Sequence, residues 1–356
     1  MPFQNPLTEP LYRQKRNDII NHFPFLTSSQ YIIYFEDYFK SIPQKYYNKE
    51  AFKDFLYFLN VLKYDYPHIL NRLLIEREDK LSLAIANLES INIRKIHNIS
   101  LPKELYLSRF IQEDILFNLL KLWESVFCEF FYIVAVSSRE CRGKSTEGLD
   151  IFNIVEELGV LPTNFERLKK YKSLYNSTIR NGIGHGKVEY LDGKIKFMDK
   201  NGKTVEKYNG QIINIFDDLV DILNGFCFAL KTFYLKQREY LHKQKINIPN
   251  SIMLKEVIAS ASAPKWDIKG YLESFIQDKK NINIFIETEF EDIYTLRVNI
   301  FHTGILAAEL TNKYDRVSLQ LKNGLSGLAV FDATKVRESK LNEYEPKTRR
   351  LCKKNL

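Results

Sequence analysis

The run STIRNGIGHGKVEY, residues 177–190, sets Arg180, Asn181 and His185 within six positions of one another. Histidine has the side chain whose unperturbed pKa lies nearest neutrality, so His185 is equipped to accept or donate a proton during a reaction. Arginine stays cationic at any working pH and presents a planar fork of donors, which suits Arg180 to hold a phosphate as negative charge builds on it. Asn181 follows directly and could orient either neighbour or a ribose. The chemistry these three types suit is proton transfer coupled to charge stabilisation at a phosphoryl group, and it calls on no cofactor and no metal.

Spacing by itself does not establish such a site. With sixteen arginines and six histidines in the chain, an arginine four to six residues before a histidine is expected by chance roughly 0.8 times. Arg297 and His302 repeat the five-residue spacing in DIYTLRVNIF, an alternating run that reads as strand. Residues five apart on a strand point to opposite faces, so this second pair is assigned to chance. A helix poses its own difficulty, because five residues turn through about 500° and leave the two side chains roughly 140° apart. If the helix ends near Gly184, His185 can swing back toward Arg180.

The elements around the motif address that difficulty. Thr163 and Glu166 form a T-x-x-E pattern that predicts a capped helix start, and Phe165, Leu168, Tyr171, Tyr175 and Ile179 mark one side of the helix that follows. Gly182, Gly184 and Gly186 predict its end, where Arg180 and His185 could alternatively serve only to cap the exposed carbonyls. KVEY, KIKFM and KTVEKY, separated by Asp192-Gly193 and Asn201-Gly202, predict a small β-meander. The run QIINIFDDLVDILNGFCFALKTFYLKQREYL predicts a long closing helix, and LPKELYLSRFIQEDILFNLLKLWESVFCEFFYIVAVSSRE a long amphipathic one upstream. Glu113, Asp114, Glu124 and Glu129 on that upstream helix are candidates for a second acid or base.

This combination, an R-x4-H pattern with a polar residue after the arginine, set at a helix end among helices, resembles the HEPN family (higher eukaryotes and prokaryotes nucleotide-binding). The resemblance covers residues 101–243, and Arg180, Asn181 and His185 match the family's arginine, following polar residue and histidine. It implies a helical bundle, a two-fold dimer with motifs meeting in one cleft, and metal-independent cleavage of RNA by attack of the 2′-hydroxyl on its own phosphodiester. It further implies a role in antiviral defence or as a toxin, with flanking regions that sense a trigger or bind a regulatory partner. Two other readings stay open: a HEPN-like module that binds a nucleotide or RNA without cutting it, and a scaffold that dimerises through the bundle.

The rest of the chain bounds these expectations. At 356 residues, 45% hydrophobic and 27% charged, it is long enough for two or three folded units. A net charge of +8 favours an anionic partner without naming it: nucleic acid, a membrane surface or an acidic protein would all serve, and so would a surface simply coated with lysine. Cys128, Cys141, Cys227 and Cys352 stand far apart and suggest neither a zinc site nor a disulfide framework, which fits a cytoplasmic protein. His22, His68 and His97 each stand alone. Lys121, Glu124 and Glu129 interrupt the most apolar run, so it reads as a buried helix and not a membrane span, and the N-terminus lacks the apolar core of a signal peptide.

The expected architecture is mostly α. Residues 1–100 form an N-terminal helical region, with YIIYFEDYFKSI and AFKDFLYFLNVLKY as helices. Residues 101–243 form the bundle with its β-meander insert. Residues 244–265, with their Ala/Ser/Pro run, form a linker, and residues 266–356 a small α+β domain ending in the basic, frayed tail KTRRLCKKNL. That last domain carries no P-loop and no G-x-G-x-x-G.

Overall fold

The computed structural model describes residues 48–94, 104–249, 252–254, 257, 261, 265–310, 313–322 and 327–339. The expected helix YIIYFEDYFKSI, His22, His97, Cys352 and the basic tail lie outside the described residues. The described residues are mostly helical with two small sheets, and the chain divides into two compact units, one spanning residues 41–249 and one containing residues 250–356.

The first unit opens with α1 (Lys49–Asp65), α2 (Pro67–Glu76) and α3 (Glu78–Arg94). Asn48 caps α1 by accepting from the Ala51 N–H at 2.9 Å. The next helical run is continuous but not uniform: α4 (Glu104–Phe110), a π-helical turn π1 (Ile111–Leu116), α5 (Phe117–Lys121), a second π-helical turn π2 (Leu122–Phe127) and α6 (Cys128–Cys141). After α7 (Ile151–Leu158) come a 3₁₀ helix (Thr163–Leu174), the short α8 (Ser177–Gly184), the antiparallel meander β1 (Val188–Leu191), β2 (Lys194–Met198), β3 (Thr204–Tyr208), then α9 (Asn209–Lys236) and α10 (Arg238–Lys243). The meander follows the predicted turns, with Gly193 and Gly202 at positive φ.

The core corrects the expected boundary at residue 100. Phe55 of α1 stacks on Phe226 of α9 at 4.6 Å and meets Phe130 of α6 edge-on at 5.6 Å. Phe131 and Tyr171 close on the same Phe226 ring at 5.2 and 5.1 Å. At Gly225 the helices approach so closely that a Cβ would stand 2.7 Å from the Asn48 carbonyl oxygen and 3.0 Å from the Ala51 Cβ. Helices before and after residue 100 thus bury one aromatic core together, because neither set can cover its apolar stripe alone. Polar links reinforce it: the buried Tyr171 hydroxyl donates to Asp54 at 2.9 Å, and Arg77 grips Glu129 while lying over the Tyr132 ring.

The second unit is a four-stranded sheet in the order β4 (Trp266–Ile276), β5 (Lys279–Thr288), β6 (Arg316–Lys322), β7 (Gly327–Asp332). Its central pair is parallel, joined through α11 (Ile293–Leu310), and the outer pairs are antiparallel; α12 (Ala333–Glu338) follows β7. Two expectations change here. Leu254, Val257 and Ala261, assigned to the linker, are helical and fully buried in this unit's core with Trp266 and Ile284. DIYTLRVNIF is not a strand but the start of α11. Leu296, Asn299, Thr303 and Ala307 are buried at helical spacing, and the Asp292 carboxylate caps the start by accepting from the Thr295 N–H at 2.7 Å. Arg297 and His302 therefore share a helix that continues to Leu310.

Candidate functional site at the end of a short helix

Arg180, Asn181 and His185 lie on and just after α8, and the local chain is built differently from the expected single capped helix. Pro162 precedes the 3₁₀ helix with no side-chain cap, and Glu166 pairs with Lys169 at 3.5 Å, so the T-x-x-E pattern forms no capping box. At Tyr175 and Asn176 the backbone becomes extended (φ −107°, ψ 133° and φ −127°, ψ 108°). Asn176 then starts a new helix, its side chain accepting from the Ile179 N–H at 3.1 Å. The signal was present in sequence as Asn176-Ser177, a good cap followed by a good first residue, but the apolar spacing through Ile179 masked it.

The other end stops as predicted, at Gly184 with His185 as the C-cap. Gly186 takes φ +66°, and two reverse bonds close the turn: Gly186 N–H to the Ile183 carbonyl at 3.2 Å and Lys187 N–H to the Gly182 carbonyl at 2.8 Å. This pair of bonds is a Schellman motif, in which the left-handed residue is usually glycine. Gly182 serves a separate need. A Cβ there would lie 3.0 Å from the Phe197 Cβ, 3.2 Å from the Met198 N and 3.3 Å from the Lys187 carbonyl oxygen, so β2 presses on the helix backbone itself. Gly184 has open space around it.

Thr178, Ile179 and Gly182 face inward, while Arg180 and Asn181 are half-buried and His185 is exposed. The Arg180 guanidinium is held from two sides. Its Nη1 donates to Asn181 Oδ1 at 2.9 Å, and its Nη2 donates to Glu124 Oε1 at 2.5 Å, across from π2. Its Nε is buried and has no hydrogen-bond partner. Beside the pair, the Tyr175 ring lies edge-on to Trp123 at 5.7 Å and along Phe127 at 6.1 Å. Burial pushes the Tyr175 hydroxyl above its ordinary pKa, while the Arg180 charge pulls it the other way. The Trp123 indole N–H donates to the Leu174 carbonyl at 2.9 Å, fixing the chain just ahead of the break.

The four acidic candidates separate cleanly. Glu129 is engaged by Arg77, and Glu113 pairs with Arg109 on an exposed surface at 2.9 Å. Asp114 sits in π1, where its backbone carbonyl accepts from the Asn118 side chain. Glu124 alone of the four contacts the motif. The His185 backbone N–H donates to the Asn181 carbonyl at 3.0 Å, but its imidazole shows no hydrogen bond or ion pair with Arg180, Asn181 or Glu124, so a single chain assembles the arginine cluster and leaves the histidine side chain at the adjoining surface. His68 is exposed. Among the described residues no three His, Cys, Asp or Glu side chains are grouped to hold a metal ion, and no helix is long and apolar enough to cross a membrane. Cys128, Cys141 and Cys227 are thiols outside any disulfide. Comparisons with protein-family models, with curated proteins and with solved structures find no match for this chain.

Proposed function

We propose that the unit of residues 41–249 is a HEPN-type endoribonuclease that cleaves RNA without metal, in antiviral defence or as a toxin. The observation that carries this reading is the Arg180 guanidinium, anchored by Asn181 and Glu124 and followed by an exposed His185 on a rigidly terminated helix end. In the reaction a base removes the 2′-hydroxyl proton as that oxygen attacks the adjacent phosphorus. The bond from phosphorus to the 5′-oxygen breaks, and the leaving oxygen takes a proton, giving a 2′,3′-cyclic phosphate and a 5′-hydroxyl. Arg180 holds the phosphate oxygens as charge builds, and His185 exchanges the proton.

A homodimer completes this reading: two exposed His185 side chains from facing copies supply the proton acceptor and the proton donor to one cleft. The second reading is an RNA- or nucleotide-binding module of the same fold without catalysis, and the His185 imidazole standing unbonded to the arginine cluster favours it. Labelled RNA incubated in EDTA with wild type, Arg180→Ala and His185→Ala separates the two. Cleavage by wild type alone supports the ribonuclease, whereas a mobility shift without shortening supports the binder.

A further inference from the structure

Two neighbouring residues of π2 reach the same stretch of chain. Trp123, fully buried, bonds the Leu174 carbonyl, and Glu124, exposed, bonds Arg180. The two bonds bracket residues 174–180, the segment in which the 3₁₀ helix breaks and α8 begins. The turn that carries both is π-helical, a local irregularity that recurs at functional sites within long helices. Arginine has five N–H donors; Asn181 and Glu124 each engage one, on different nitrogens. The head group is thereby fixed in direction while donors remain for a ligand.

We infer that Glu124 is a positioning residue: it acts through Arg180, aiming the guanidinium at the scissile phosphodiester. The inference rests on the ribonuclease reading for its substrate and on the ion-pair geometry for its mechanism. Stability gives little reason for the pair. The Glu124 side chain is 44% exposed and that of Arg180 28%, and exposed ion pairs contribute little to folding. Orientation is where such a pair has leverage, because small displacements of a catalytic group lower rates by up to about a hundredfold.

The experiment compares wild type with Glu124→Ala and Glu124→Asp by two readouts: kcat and KM for RNA cleavage in EDTA, and the ¹⁵N-edited signal of the Arg180 Nε–H. In Glu124→Ala, kcat falls about tenfold or more with the thermal midpoint unchanged, and Glu124→Asp recovers part of the loss. The Arg180 signal is distinct in wild type and moves to the averaged position of free arginine side chains in Glu124→Ala. Wild-type kcat in Glu124→Ala, or faster cleavage, overturns the inference, since Glu124 then has no part in catalysis or competes with the phosphate. Should wild type itself leave RNA intact, the ribonuclease reading fails by that result. The Arg180 signal then judges the ion-pair geometry separately, and a signal unchanged by Glu124→Ala overturns it.

Discussion

Gly182 of α8 lies against Phe197 of β2 with room for hydrogen alone, a Cβ at that position falling 3.0 Å from the Phe197 Cβ. Through this contact the meander is seated directly on the helix that carries Arg180. Gly182→Ala must push the strand away or bend the helix, so we expect a loss of about 1–3 kcal/mol, the usual cost of overpacking. Gly184→Ala meets nothing within 4 Å and should change stability by less than about 0.5 kcal/mol or raise it slightly, alanine being the better helix former. Urea denaturation of the two variants checks the contrast, and equal losses would refute it.

The union of the helices before and after residue 100 is tested at Gly225. Its missing Cβ would collide with the Asn48 carbonyl and the Ala51 side chain. Gly225→Ala should destabilise the unit by about 1–3 kcal/mol and do so in one cooperative transition. Two separate transitions, with only one displaced, would restore a boundary near residue 100.

Cys128 offers a pH test. Burial, helped by the neighbouring Glu129 charge, pushes its thiol up to about 11 from an ordinary value near 9.0. Because the folded pKa lies above the unfolded one, the native thiol stays neutral while the unfolded one ionises. The contribution to stability is whole below about pH 9 and is lost as pH rises towards about 11. Cys128 in the native protein should therefore resist alkylation at pH 8, since the thiolate is the reactive form. Rapid modification of Cys128 at that pH, read by peptide mass spectrometry, would contradict the burial.

Arg297 and His302 are the internal control for the motif. Both lie in α11, which runs on to Leu310, so nothing relieves their separation of roughly 140° around the axis. Burial lowers the His302 pKa below its ordinary value. Arg297→Ala should cleave RNA at the wild-type rate, and a loss comparable to that of Arg180→Ala would move the candidate site to the other unit.

The parts of this architecture legible in sequence were those with local chemical signatures. Asp192-Gly193 and Asn201-Gly202 specify hairpin turns through backbone angles that few other residues adopt, and the glycines after Ile183 mark a helix end for the same reason. What was misread depended on competition between equally good local patterns. DIYTLRV alternates well enough for a strand, yet Asp292 caps a helix there; Thr163 and Glu166 spell a cap, yet Pro162 leads into a 3₁₀ helix instead. The Glu124–Arg180 pair could not be read at all. It joins residues 56 apart, and Glu113, Asp114 and Glu129 offered the same chemistry from the same helix.

The most direct test of the account is the cleavage of a labelled RNA pool in EDTA by wild type, Arg180→Ala and His185→Ala, with analysis of the new ends. The account predicts cleavage by wild type that leaves 2′,3′-cyclic phosphates and 5′-hydroxyls, leaves DNA intact because DNA lacks the attacking hydroxyl, and falls about a hundredfold or more in His185→Ala. Equal cleavage by all three proteins would make RNGIGHG an ordinary helix end.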